Sequence, residues 1–274
     1  MAFSVNTNGA ALAALRNLNV TNASLEITQS QINTGLEIAG ARDGAAVFAI
    51  AQQLRSDLAG LNSVQDSLNR ASSSLDVAIA GGEAISDLLI EMRELAVAAA
   101  DEGLDSDSRT ALNDEFIELR DQIDSIATSA DFNGTNAINT GGSSISAITN
   151  DTGTTSISVA AVDLSLSGLS LASTVIGTDA STAATAVTTL DTALTTVNNA
   201  LSDFGAFGTR LDVQQSFTTR LSDSIEVGIG NIVDADLAQA SADLQALQVQ
   251  QQLGLQALSI ANQAPQSILS LFGG

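Results

Sequence analysis

The chain has 274 residues, with 31 acidic side chains against nine basic ones, a net charge of −22, and neither cysteine nor histidine. Those counts exclude disulfides, Cys- or His-ligated metal centres and Ser-His-Asp catalysis, and they argue against nucleic acid, whose binding rests on cationic side chains neutralising phosphates. All nine basic residues are arginine, which removes Schiff-base and P-loop lysine chemistry, and the acidity argues against anionic membrane surfaces.

No run of about 20 apolar residues is present, so no membrane-spanning helix is expected. Met1-Ala2-Phe3-Ser4-Val5-Asn6 carries neither a basic nor an apolar signal region; export, if it occurs, would use a route that reads no such signal. The first helical pattern places Leu15, Leu18, Asn22, Leu25, Gln29, Ile32 and Leu36 on steps of three and four, the spacing of a coiled-coil seam. From Leu54 a longer ladder follows: Leu54, Leu58, Leu61, Gln65, Leu68, Ser72, Leu75, Ile79, Gly82, Ser86, Leu89, Arg93 and Ala96. That is about 60 Å of helix at 1.5 Å per residue. Asp101-Glu102-Gly103 ends it, and Asp105-Ser106-Asp107-Ser108 reads as a new N-cap.

The next helix carries Leu112, Phe116, Leu119, Ile123 and Ile126 and stops near the turn signal Asn133-Gly134. Such a short link predicts an antiparallel pair. From Thr140 to Thr189 the composition changes, with 21 Ser or Thr among 50 residues. Ser144-Ile145-Ser146 and Ser156-Ile157-Ser158-Val159 alternate as strands do, around the turn Asn150-Asp151-Thr152-Gly153, and Leu164-Ser165-Leu166 alternates too. Helical spacing returns with Val187, Leu190, Leu194, Val197, Leu201 and Phe204, then Leu211, Ile225, Ile229 and Ile232; Gly205-Ala206-Phe207-Gly208 predicts a kink or break between them. The last ladder is Leu237, Ala240, Leu244, Leu247, Gln251, Gly254, Leu258 and Ala261, followed by Ile268-Leu269-Ser270-Leu271-Phe272, and Pro265 is the only proline.

The fold class expected is therefore mainly α: a long antiparallel helical coiled-coil bundle with a small β-hairpin region. A helix cannot bury its apolar stripe against itself, so both chain ends are committed to association. Polar residues on the ladders (Asn22, Gln29, Gln65, Ser72, Gln251) are read as devices that fix register and partner at some cost in stability. Asp101, Asp105 and Asp107 lack the spacing and closing Glu of a calcium loop, and helix capping explains them. Asn133-Gly134-Thr135 and Asn150-Asp151-Thr152 match glycosylation sequons, a match frequent by chance. No cofactor and no catalytic residue is expected.

Asn17-Leu18-Asn19, Gln31-Ile32-Asn33-Thr34-Gly35-Leu36, Ala41-Arg42-Asp43-Gly44-Ala45-Ala46, Arg93-Glu94-Leu95-Ala96, Phe132-Asn133-Gly134 and the stretch Gln252-Leu253-Gly254-Leu255-Gln256-Ala257-Leu258-Ser259-Ile260-Ala261-Asn262-Gln263 resemble bacterial flagellin in content and order. The resemblance implies a filament subunit that polymerises with copies of itself and is secreted to the cell exterior. It also implies passage through the flagellar export apparatus with an export chaperone, and contact with hook-associated junction proteins and a distal cap. It divides the chain into a D0-like terminal coiled-coil domain (1–42 plus 233–274), a D1-like helical bundle (43–139 plus 176–232) and a Ser/Thr-rich β-hairpin region (140–175) at the outer end of that bundle.

Residues expected to pack the filament core are Leu15, Leu18, Leu25, Ile32, Leu36, Leu237, Leu244, Leu247 and Leu258. Ile90-Glu91-Met92-Arg93-Glu94-Leu95-Ala96-Val97 is similar to the segment Gln-Arg-x-Arg-Glu-Leu-Ala-Val shared by flagellins that activate a vertebrate Toll-like receptor; Arg93, Glu94 and Leu95 are kept, while Glu91 reverses the charge of the first arginine. The middle is too short for large outer domains, and the ending Leu271-Phe272-Gly273-Gly274 and the absence of lysine depart from the family pattern. A hook-filament junction protein, another secreted coiled-coil surface protein and, last, an enzyme are the alternatives.

Overall fold

The computed structural model describes the backbone of residues 7–272 and the side chains of residues 7–263. Met1–Asn6, Gly273–Gly274 and the side chains of Pro265 and Ile268 to Phe272 therefore lie outside the described residues. Five helices and one hairpin appear in order: α1 (Gly9–Thr34), α2 (Ala45–Ala99), α3 (Ser106–Ser129), β1 (Ile145–Ile148), β2 (Ser156–Val159), α4 (Ala180–Val233) and α5 (Leu237–Phe272). No helix among the described residues is long and apolar enough to cross a membrane. The chain forms two compact units, one drawn from residues up to Ser56 and from Ser224 onward, the other from Asp57–Asp223.

In the first unit α1 and α5 pack along each other. Asn8 caps α1 by accepting the Ala11 N–H, and its side-chain amide donates to the Ala261 carbonyl at 2.7 Å. Further along, Gly254 faces Leu18, Gln251 meets Asn22, and Leu36 bridges to Asp234. Residue numbers rise on one helix as they fall on the other, so the pair is antiparallel. Gly35 closes α1 in the left-handed conformation, φ 73°, which a glycine adopts without penalty. Asp236 opens α5, its carboxylate accepting the Ala238 and Gln239 N–H groups.

The second unit is a three-helix bundle with the hairpin set against it. Helices α2 and α4 run antiparallel: Arg93 pairs with Asp191, Gly82 faces Leu201, Gly208 faces Leu75, and Gln215 bonds Asn69. Helix α3 returns along α2; Arg109 donates to the carbonyl of Ala99, the last residue of α2, and to that of Asp101 just beyond it. Asp105 caps α3, and hydrogen bonds from the Ser108 backbone and hydroxyl hold its carboxyl below the usual carboxylate range. Asn136 donates to the Ala127 and Thr128 carbonyls at the other end of α3. Gly81 and Gly82 allow close approach of the neighbouring elements; a Cβ there would lie 2.7 Å from Ile138 and 2.9 Å from Leu201. The core is built on Leu68, Ile85, Leu89, Met92, Phe116, Ile123, Phe204 and Phe207, all essentially unexposed.

The hairpin forms where the alternation predicts it, with Ile145 opposite Val159 and Ile148 opposite Ser156. Asn133 and Gly134 take consecutive positive φ values, 53° and 81°, the signature of the tight turn an Asn-Gly pair favours. Leu164-Ser165-Leu166, in contrast, is no strand. Asp163 organises a turn there by accepting the Ser165 N–H and the hydroxyls of Ser165, Thr140 and Ser167, while the Leu164 N–H donates to the Ile138 carbonyl. Burial pulls the Asp163 carboxyl upward, but these hydrogen bonds outweigh it and hold the group below its ordinary value.

Two expectations about the long helices are corrected. Helix α4 continues unbroken through Gly205-Ala206-Phe207-Gly208, because Phe204 and Phe207 both face the core and hold that turn in place. The seam on α2 is rotated by one residue at every second rung. Its buried line is Leu61, Val64, Leu68, Ala71, Leu75, Ala78, Ile85, Leu89, Met92 and Ala96, whereas Gln65, Ser72, Ile79 and Ser86 lie at its margin and Arg93 is exposed. On α4 the innermost rungs are likewise Ala186, Ala193 and Ala200, with Val187, Leu194 and Leu201 flanking them. A helix packed between two partners needs a face wider than a two-position seam, and alanine on its centre line lets the axes approach.

Candidate functional site

The terminal pair is built for only half of its apolar surface. Within it, α1 offers Ala11, Ala14, Leu18, Thr21, Leu25, Thr28 and Ile32 towards α5, which answers with Ala240, Leu244, Leu247, Gln251, Gly254, Leu258 and Ala261. Only Leu18, Thr28 and Ala240 of these are buried. Gln251 donates to the Asn22 side-chain oxygen at 2.7 Å, so two polar ladder residues meet each other at the edge of the seam. Such a bond lines up one register of the two helices and penalises a slip by either.

On the opposite faces large side chains stand uncovered: Leu12, Val20 and Ile27 on α1, Val249, Leu253, Leu255 and Ile260 on α5, with Val20 66% and Ile260 69% exposed. Fully burying one such side chain is worth about 1.5–3 kcal/mol. Aliphatic surface repeated at helical spacing on both members of a pair is an association surface and offers no chemistry. Of the residues expected to pack a filament core, Leu18 is buried, and Leu25, Ile32, Leu36, Leu244, Leu247 and Leu258 are half-buried; Leu15 and Leu237 remain 43% and 49% exposed. A single ladder followed along each helix misses this second face; large aliphatics off that ladder are the signal that finds it.

The segment with the receptor-like pattern lies in the second unit. Glu91 and Glu94 are exposed, Met92 and Ala96 enter the core, and Leu95 is half-buried. Arg93 is held by Asp191 at 2.6 Å, with both side chains about half exposed. Ile90, Arg93, Glu94, Val97 and Leu194 line a shallow groove, in which Ile90 and Val97 are uncovered. Of the three acids near the end of α2, Asp105 caps α3 and Asp101 accepts the Gly103 N–H, while Asp107 lies in the first turn of α3.

Comparison with known proteins gives a consistent result. Residues 5–142 match the model of the bacterial flagellin N-terminal helical region, and residues 187–272 that of the bacterial flagellin C-terminal helical region. The chain is 46% identical over 269 residues to flagellin FljK of Caulobacter vibrioides, covering 98% of each, and 36% identical over 282 residues to a Brucella melitensis flagellin, covering 99% of each. Among solved structures it is similar to Bacillus cereus flagellin, with a TM-score of 0.51 and 31% identity over 56% of this chain and 88% of that one.

Proposed function

This chain belongs to the bacterial flagellin family, whose members are structural subunits that self-assemble into the flagellar filament, and from that premise we propose how its parts divide the task. Residues 1–42 with 233–274 form the filament core, residues 43–139 with 176–232 a helical bundle domain, and residues 140–175 the hairpin region of that bundle. The core residues are Leu15, Leu18, Leu25, Ile32, Leu36, Leu237, Leu244, Leu247 and Leu258, together with the exposed faces of α1 and α5.

The uncovered second face of the terminal pair supports this reading above all else. A pair of helices that hides one stripe and displays another is incomplete alone, and stacking copies completes it. A contact that joins one patch to a different patch, without closing into a ring, propagates into an open helix. The same reading places the subunit outside the cell after passage through the export apparatus, with an export chaperone, junction proteins and a distal cap as its partners. It assigns no catalysis, in keeping with a chain that has no histidine, cysteine or lysine. It also makes Glu91, Arg93, Glu94 and Leu95 part of the bundle surface, with Glu91 weakening receptor docking.

Electron microscopy of the purified full-length chain at high concentration is the direct test. Long filaments are expected. Short caps or stubs would favour the hook-filament junction alternative, and a persistently monomeric protein would reject assembly altogether.

A further inference from the structure

The chain carries 31 carboxylates and nine arginines, and among the described residues only Arg93 and Arg120 form ion pairs, with Asp191 and Asp121. Arg109 is committed to two backbone carbonyls and Arg210 lies over the Phe207 ring. Arg16, Arg42, Arg220 and Arg70 have no acceptor and no ion-pair partner among the described residues, and the setting of Arg70 is the informative one. Arg70 opens onto a pocket of about 150 Å³ in the second unit, walled by α2, the Asn133-Gly134 turn and β1.

The walls are fixed. The Ser67 hydroxyl accepts the Ile148 N–H at 3.2 Å, holding the hairpin against α2. Phe132 and Thr135 exchange backbone hydrogen bonds at 3.0 Å each, and the Gly134 N–H donates to the Asp131 carboxylate. The Ser74 hydroxyl donates to the Arg70 carbonyl. Asn133 and Ser146 also line the pocket, and neither side chain has a hydrogen-bond partner among the described residues. An unpaired guanidinium fork beside hydroxyl and amide donors suits a planar anion that accepts two bonds at once.

We propose that this pocket receives an Asp or Glu carboxylate from a neighbouring copy of the chain, making Arg70 an intersubunit counter-charge. The inference rests on the filament reading. Charge complementarity selects the occupant, because every neighbour in a homopolymer displays a large excess of carboxylates and repels its own kind unless some are paired across the contact. Asp66, four residues earlier on α2, is the competing partner from the same chain; in the structure it does not reach Arg70.

The absence of lysine makes a decisive experiment possible. Arg70→Lys introduces the chain's single side-chain amine, and a carbodiimide joins that amine to any touching carboxylate as an amide, taking up the water released. Full-length Arg70→Lys would be doped into an excess of wild-type chain, so that assembly does not depend on the variant, and then cross-linked as filaments and as monomers. An amide between the introduced amine and an acid of another copy, formed in filaments and absent from monomers, is the expected result. Filaments that yield no cross-link, or only one to Asp66 or Asp131 of the same chain, would overturn the proposal. Arg70→Gln should in addition raise the critical concentration for assembly about tenfold at low salt, with a circular dichroism spectrum unchanged; an unaltered critical concentration would also count against it. A wild-type chain that forms no filaments would overturn the filament reading first, whereas wild-type filaments without the cross-link overturn this inference alone.

Discussion

The two units place similar helices in opposite energetic positions. In the bundle, Phe116, Ile123, Phe204, Leu68 and Leu89 are essentially unexposed, and three helices and a hairpin share one core. In the terminal pair the seam is made largely of Ala, Thr and half-buried Leu, and comparably large aliphatic side chains face outward as well. Alanine and threonine bury little area, so two helices held by such a seam gain little against the backbone entropy of about 1–2 kcal/mol per ordered residue. The bundle thus closes its core within one chain, with Ile90, Val97, Val213 and Phe217 left uncovered on its surface, while in the proposed filament the terminal pair is completed by its neighbours. A filament subunit benefits from that division, because a pair finished in the monomer would have no reason to polymerise.

Removing the terminal helices should have the largest effect. Deletion of residues 1–35 or 240–274 is expected to leave a soluble, cooperatively melting fragment that forms no filaments; sedimentation and electron microscopy together check both halves of that statement. Long tubes from either truncated chain would show that the terminal helices are dispensable.

Point substitutions distinguish the two units. Phe204→Ala opens a cavity in the bundle and should destabilise it by about 3–5 kcal/mol, read by denaturant unfolding of the monomer. Leu253→Ala removes a side chain that is 57% exposed and should leave monomer unfolding within about 0.5 kcal/mol. Its effect belongs to assembly, as a rise in critical concentration of about tenfold or more. Equal effects of the two substitutions on monomer stability would contradict the division.

The bundle surface gives a smaller effect. Glu91 is exposed on the segment resembling receptor-activating flagellins, and an acceptor-only carboxylate cannot replace a fork of donors. The unmodified monomer should activate the receptor weakly or not at all, and Glu91→Arg should recover part of a contact worth about 2 kcal/mol, or roughly thirtyfold, in a reporter-cell assay. Strong activation by the unmodified chain would remove this claim and leave the filament assignment standing.

Salt should produce the gentlest change. At −22 per subunit, neighbours repel, so the critical concentration should fall as ionic strength rises and the Debye length contracts from about 8 Å at physiological salt to about 3 Å at 1 M. A flat salt series would mean that arginines such as Arg70 already neutralise the contacts locally.

Much of the architecture is legible in the residues. The C-terminal ladder from Ala240 to Ala261 faces α1 at every rung, and Leu18, Leu25 and Ile32 answer it from α1. The alternate rungs on α1 fall one residue away from the ladder, since the seam passes through Thr21 and Thr28 and not through Asn22 and Gln29. Threonine and asparagine are both polar and mostly exposed residue types, so the period of the large aliphatics alone does not select the threonines. Asn22 still reaches Gln251 from the edge, which is why the polar pair is recognisable as a specificity device. The pocket beside Arg70 has no sequence signal at all, because its walls come from α2, a turn and a strand more than 60 residues further along the chain.

Local chemistry, readable along the chain, sets the helical periodicity, the Asp105 cap, the Asn133-Gly134 turn, the alternating strands and the acidic surface. Tertiary structure alone decided which of two adjacent positions lies innermost, Val64 or Gln65, Ala193 or Leu194, and that α4 runs on without a break past its glycines. Neighbouring helical positions differ by about 100° of rotation, and a heptad pattern fixes one of its two rungs while leaving the other free to fall on either side. Only the number and placement of the partner helices resolves that choice, because they set how wide the buried face must be.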